Sequence, residues 1–67
     1  MTAEMLKDIH EAVNFWKSEE TGTLLDMLID YARNDGYYTA CNNDELRRYN
    51  SINATAVHMV LHKRLEV

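Results

Sequence analysis

The chain has 67 residues, a net charge of −4 and a sequence pI near 5.1. A chain of this length forms one domain at most and buries only a modest core, so neither a second domain nor a deep catalytic cleft is expected. Its single cysteine, Cys41, excludes a disulfide framework and a zinc finger of paired Cys and His residues. The lone thiol and the absence of a signal peptide favour a cytoplasmic location, and no apolar run is long enough to span a membrane.

The chain contains no proline and only two glycines, which favours helices with short connections over a sheet of many strands. We therefore predict a mainly α fold, a small domain of three or four helices over residues 1–67. Because no disulfide or metal supports so small a core, we also expect a homodimer.

The charge is distributed unevenly along the chain. Residues 1–36 contain eight acids and three bases, whereas residues 37–67 contain three acids and four bases. This division is compatible with a weakly basic working face on an acidic body.

The first apolar stripe predicts a helix from Thr2 to about Lys17, with Thr2 as its N-cap. Apolar residues recur in it at spacings of three and four, while the acids lie on the other side. The favoured interpretation is packing in the core. The functional alternative is a dimer or partner interface, for which the candidate residues are Met5, Ile9, Val13 and Trp16.

A second stripe predicts a helix from Thr23 to Asn34, built on Leu24, Leu25, Leu28, Tyr31 and Ala32. Gly36 follows it and predicts the helix stop, because glycine adopts positive φ at little cost. The next four residues are rich in tyrosine and threonine, which favour extended chain, so one short strand is predicted at 37–40.

The remaining part of the chain predicts two more helices separated by a turn. Asn42 or Asn43 can cap a helix over 44–49. Asn50 and Ser51 compete for backbone hydrogen bonds and predict a turn at 50–52, although a continuous helix over 44–65 is an alternative. The last helix then runs from about Asn53, its cap, to residue 65.

The order helix, strand, helix, helix over about residues 24–65 resembles the helix-turn-helix family of DNA-binding proteins, and more narrowly the winged-helix domains. The unit itself covers about residues 43–65. The sequence departs from the family pattern at three points. The family has a small residue at the position of Arg47 and an apolar residue at the position of Asn50. The residues after the last helix are also too few to form a wing. Apolar residues stand at four positions that the family buries, namely Leu46, Ile52, Val57 and Val60.

This resemblance implies a small DNA-binding transcriptional regulator, acting as a dimer. With Val57 at the centre of the buried face, a step of about 100° per residue places polar side chains on the opposite side of the last helix. That helix would read base edges in the major groove, and the helix before it would contact phosphates. The candidate DNA-binding residues are Asn53, Thr55, His58, Met59, His62, Lys63, Arg47 and Arg48.

The acidic overall charge favours a second hypothesis, because DNA-binding domains are usually basic. In this alternative the chain is an acidic adaptor or inhibitor of the same helical fold, which binds another protein without touching DNA. Charge reversal at Asp26 and Asp30 would then matter most. We expect no enzymatic activity and no cofactor, because no nucleophile elbow or Gly-rich phosphate loop is present. His58 and His62 share a helix face, but two ligands make no metal site.

Overall fold

A computed structural model describes residues Thr2–Glu66 as three α-helices. Helix α1 spans Ala3–Trp16, α2 spans Thr21–Ala40 and α3 spans Asp44–Leu65. The predicted mainly α class is therefore confirmed, and the described residues contain no strand. None of the three helices combines the length and the apolar character that crossing a membrane requires.

Side-chain caps define the starts of α1 and α3. The Thr2 hydroxyl accepts the backbone N–H of Met5 at 3.1 Å, which confirms the predicted cap of α1. The Asn43 side chain accepts the N–H of Leu46 at 3.2 Å, so Asn43 is the cap of α3. Asn42 precedes it with a φ of 55°, a left-handed conformation that asparagine tolerates better than most residues.

The predicted strand at 37–40 is wrong, because α2 continues to Ala40. Gly36 does not stop the helix, since no glycine in the described chain has positive φ. The Thr39 hydroxyl donates to the carbonyl of Asp35 at 2.7 Å, a bond within the helix. Extending a helix that has already formed costs little per residue, so the weak β-preference of tyrosine and threonine does not end it.

The predicted turn at 50–52 is also wrong, because α3 runs through it without interruption. Asn50 is 3% exposed and donates its side-chain amide to the backbone carbonyl of Tyr31 on α2 at 2.8 Å. Asn53 is not a cap but accepts the indole N–H of Trp16 on α1 at 3.0 Å. Tertiary hydrogen bonds engage both amides, so they do not terminate the helix. The described structure therefore has no turn, and no pair of helices, at residues 43–65.

Helix α3 lies between the other two helices and packs against both, whereas α1 and α2 contact each other only weakly. Helix α1 runs in the same direction as α3, since Met5 lines one hollow with Arg48 and Val13 lines another with Val60. Helix α2 runs antiparallel to α3, because its first residue is bonded to the end of α3. The domain is flattened, with extents of 39 × 27 × 17 Å.

The core lies along the side of α3 that faces the two flanking helices. Val57 is fully buried and Val60 nearly so, as the sequence predicts. Leu46 is exposed and Ile52 is half-buried, so two of the four family positions are not fully buried. The continuous helix carries these two residues away from the centre of the core. The buried cluster comprises Trp16, Leu24, Tyr31, Ala56, Val57, Val60 and Leu61.

Candidate partner-binding surfaces

The exposed side of α3 carries most of the predicted DNA-binding residues, in two separate groups. Arg48 lies fifteen residues before Lys63, which is about 22 Å along a helix. The two groups therefore lie near opposite ends of one rod. The exposed residues are Arg47 and Arg48 in the first group, and His58, Met59, His62 and Lys63 in the second.

Two predicted DNA-binding residues are engaged inside the domain. Asn53 is half-buried, bonded to Trp16, and donates to the carbonyl of Tyr49 at 3.0 Å. Thr55 is half-buried and lines a hollow between α2 and α3. Because α3 is uninterrupted, the side chain of Asn53 is bonded to α1, and Thr55 lies beside α2.

The predicted interface on α1 belongs largely to the core. Ile9 and Trp16 are buried within the chain, so they are not available to a second chain. Met5 and Val13 are half-buried. The favoured interpretation of this stripe, packing in the core, is the one that the structure confirms for Ile9 and Trp16.

A groove of about 530 Å³ runs between the second half of α1 and the end of α3. Its floor is apolar, formed by Val13, Met59 and Val60. We call the whole set of lining residues the basic-rimmed groove, because its other members are all cationic. They are Lys17, Lys63 and Arg64.

Arg64 fixes one end of this groove by holding the connection between α1 and α2. Its guanidinium donates to the backbone carbonyls of Lys17 and Glu19, and to the hydroxyl of Thr21 at 3.0 Å. The carbonyls at the end of a helix lack partners within that helix and carry partial negative charge. A planar guanidinium with several donors satisfies them, which fixes the place where Lys17 leaves α1.

Sequence reasoning missed the basic-rimmed groove, although it selected Val13 as a candidate interface residue and Met59 and Lys63 as candidate DNA-binding residues. The groove exists only because α1 and α3 lie side by side and parallel. Val13 and Val60 are 47 residues apart in the sequence, and no local pattern indicates that they are neighbours.

A second unpartnered surface lies on the outer side of α2. Leu25 is 49% exposed and Ile29 is 52% exposed, one helical turn apart. The sequence assigned Leu25 to the core stripe with Leu24, but Leu24 is fully buried while Leu25 points away from it. Consecutive residues on a helix point about 100° apart, so Leu24 and Leu25 cannot both face the centre of the core. This spacing was the signal available in the sequence.

The buried side chain of Tyr31 has an altered pKa. Burial, and then the charge of nearby Tyr49, raise the pKa of Tyr31 above its ordinary value of 10.0. The rings of His58 and His62 lie 6.1 Å apart. Over Thr2–Glu66, no three His, Cys, Asp or Glu side chains gather as metal ligands. Cys41 is exposed, in the connection between α2 and α3.

Comparison of this chain with protein-family models, with curated proteins and with solved structures finds no significant match in any of the three.

Proposed function

We propose that this chain is a protein-binding module whose basic-rimmed groove receives an acidic amphipathic helix of a partner protein. The observation that carries the proposal is the combination of an apolar floor with three cations in one groove of an otherwise acidic chain. A helix laid in a groove binds through apolar anchors on one face. Acidic residues beside those anchors would meet Lys17 and Lys63.

The floor of the groove offers the apolar contact. Met59 is 44% exposed, and a methionine side chain adapts to partners of different shape because it is long and unbranched. Val60 belongs to the buried core and Val13 packs against it. Desolvation of this floor supports binding, and the flanking helices keep it in place before any partner arrives.

The rim sets the charge of the partner. No acid among the described residues lines the basic-rimmed groove, and Glu66 lies in the adjoining hollow with His62 and Lys63. Exposed ion pairs contribute little affinity singly, but they raise the association rate and select against cationic partners. We therefore favour the adaptor hypothesis in a changed form. The contact surface in this form is the basic-rimmed groove, and not the acidic surface of Asp26 and Asp30.

The test is a titration of the full chain into a fluorescent peptide of about 18 residues, designed as a helix with leucine on one face and glutamate beside it. Lys63→Glu is expected to weaken binding about fivefold, because one attraction becomes a repulsion. Met59→Ser is expected to weaken binding because it removes apolar contact area from the floor of the groove. Amide chemical-shift changes should concentrate at Val13, Met59 and Lys63.

The matched control is Lys7→Glu, which makes the same change in net charge on an exposed side of α1 away from the groove. Binding should be unaffected by it. Equal losses for Lys7→Glu and Lys63→Glu, or shifts spread evenly over the domain, would show that the groove is not the binding site.

A second candidate function is binding of duplex DNA along the exposed side of α3. The observation that favours it is that α3 has no acid between Leu46 and Leu65, while it carries four bases and two histidines there. Contact would run along one continuous helix instead of a helix-turn-helix. Arg48→Glu separates the two functions, because Arg48 lies outside the basic-rimmed groove. A salt-dependent loss of duplex binding in this variant supports the DNA function, and unchanged duplex binding contradicts it.

A further inference from the structure

We propose that the outer face of α2 pairs with the same face of a second copy, antiparallel, about a two-fold axis that passes beside Ile29. This surface, the α2 seam, consists of Gly22, Leu25, Asp26, Ile29, Ala32, Arg33 and Gly36. It is separate from the basic-rimmed groove, which involves α1 and α3 only. The pairing stands or fails independently of the proposed function.

The α2 seam has the period of a helix–helix contact. Gly22, Ile29 and Gly36 are seven residues apart, and Leu25 and Ala32 follow at the intermediate positions. At about 100° per residue, all seven seam residues lie within about 60° of Ile29. All of them are exposed in the single chain. A repeat of seven with apolar or small residues at two positions is typical of paired helices.

The charged residues of the α2 seam can pair between two copies when the two helices are antiparallel. With a two-fold axis beside Ile29, a residue of one copy lies opposite the residue of the other copy that is equally far from Ile29 in the reverse direction, so that their numbers sum to about 58. Asp26 of one copy then lies beside Arg33 of the other, and the same pair forms again across the axis. A parallel pairing would instead place these residues of the two copies on opposite sides of the contact, where Asp26 and Arg33 do not meet. No described residue forms an ion pair with either side chain within one chain.

Neither packing nor backbone conformation within the single chain requires the two glycines of the α2 seam. A Cβ atom added at Gly22 or Gly36 would meet nothing within 4 Å, and neither residue has positive φ. Glycine nevertheless weakens a helix interior relative to alanine. The antiparallel pairing supplies a reason, since Gly22 of one copy lies opposite Gly36 of the other, and small residues there allow close approach of the two helices.

The size of the α2 seam indicates a weak dimer. Helix α2 has 20 residues and is about 30 Å long. A contact of that length and one to two helices wide buries roughly 600–1,200 Å² in total, near the lower limit of specific interfaces. We therefore expect a dissociation constant in the micromolar range, so that both species are present at ordinary laboratory concentrations.

Sedimentation equilibrium of the full chain tests the pairing. Asp26→Arg and Arg33→Asp are each expected to weaken dimerisation about tenfold, because two attractions become two repulsions. The double variant should regain the parent affinity to within about threefold. Asp30→Arg makes the same charge change at a position about 100° from Ile29, outside the α2 seam; it is the control and should not act like Asp26→Arg. A chain that is monomeric at about 1 mM, or a double variant as weak as the single ones, would overturn the proposal.

Cross-linking tests the position of the axis. In a Cys41→Ser background, Ile29→Cys should form a disulfide dimer on mild oxidation, because the two copies of this residue meet at the axis. Asp30→Cys in the same background should cross-link far more slowly. Equal rates at the two positions would mean that the contact is not the α2 seam.

Discussion

Asn50 connects the central helix to α2, and its replacement by alanine provides the most direct test of the fold. The side chain is almost fully buried, and its amide bonds the Tyr31 carbonyl at 2.8 Å. Losing this hydrogen bond costs about 1 kcal/mol. Losing the packing of the amide group costs about 1 kcal/mol more. Alanine regains about 0.6 kcal/mol through its better helix propensity.

The expected net loss for Asn50→Ala is therefore about 1.5 kcal/mol in the free energy of unfolding. A chain of this size has only about 3–10 kcal/mol in total, and the melting temperature should fall by roughly 6–12 °C. Urea denaturation followed by circular dichroism, at low micromolar concentration, measures the change. Asn14→Ala is the control, because Asn14 is exposed on α1 and only the propensity term applies. That variant should gain about 0.6 kcal/mol.

Asn50→Asp separates the hydrogen bond from the packing, because the two side chains have nearly the same shape. At neutral pH the carboxylate cannot donate to the Tyr31 carbonyl, so we expect a loss larger than that of the alanine variant. Acidification should recover part of it, since a protonated carboxyl can donate. If Asn50→Ala lies within 0.5 kcal/mol of the parent, or Asn50→Asp is as stable as the parent at pH 7, the cross-helix bond does not stabilise this fold.

Three further predictions concern the other contacts between helices. Trp16→Phe and Asn53→Ala should show a coupling of about 1 kcal/mol in a double-mutant cycle of urea denaturation, and additive losses would contradict the bond between them. Arg64→Lys should lower stability by about 0.5–1 kcal/mol and speed amide hydrogen exchange at residues 17–20, because the planar fork of donors is lost; unchanged exchange would be contrary evidence. Burial and Tyr49 raise the pKa of Tyr31 above the unfolded value of 10.0, so the contribution of Tyr31 to stability should be constant below pH 10 and be lost above it as the unfolded chain ionises first. In a spectrophotometric titration Tyr31 should ionise above its ordinary pKa of 10.0, and ionisation at or below that value would contradict this.

The amino-acid sequence by itself determined the helical class, the first helix with its Thr2 cap, and the buried positions Val57 and Val60. Each of these depends on interactions between residues three or four apart, or on the period of apolar side chains along one segment. The start of α3 was predicted equally well, since a capping asparagine followed by acids in the first turn is a local signal.

Only the tertiary structure decided that α3 is a single helix and which surfaces remain open. The sequence predicted a turn at Asn50 and a cap at Asn53, because their hydrogen-bond partners lie far away in the chain. These partners are the Tyr31 carbonyl for Asn50 and the Trp16 indole for Asn53. The same reason hides the basic-rimmed groove, whose two walls are distant in the chain. A polar side chain ends a helix when its partners are local, and it joins helices when its partners come from elsewhere in the fold.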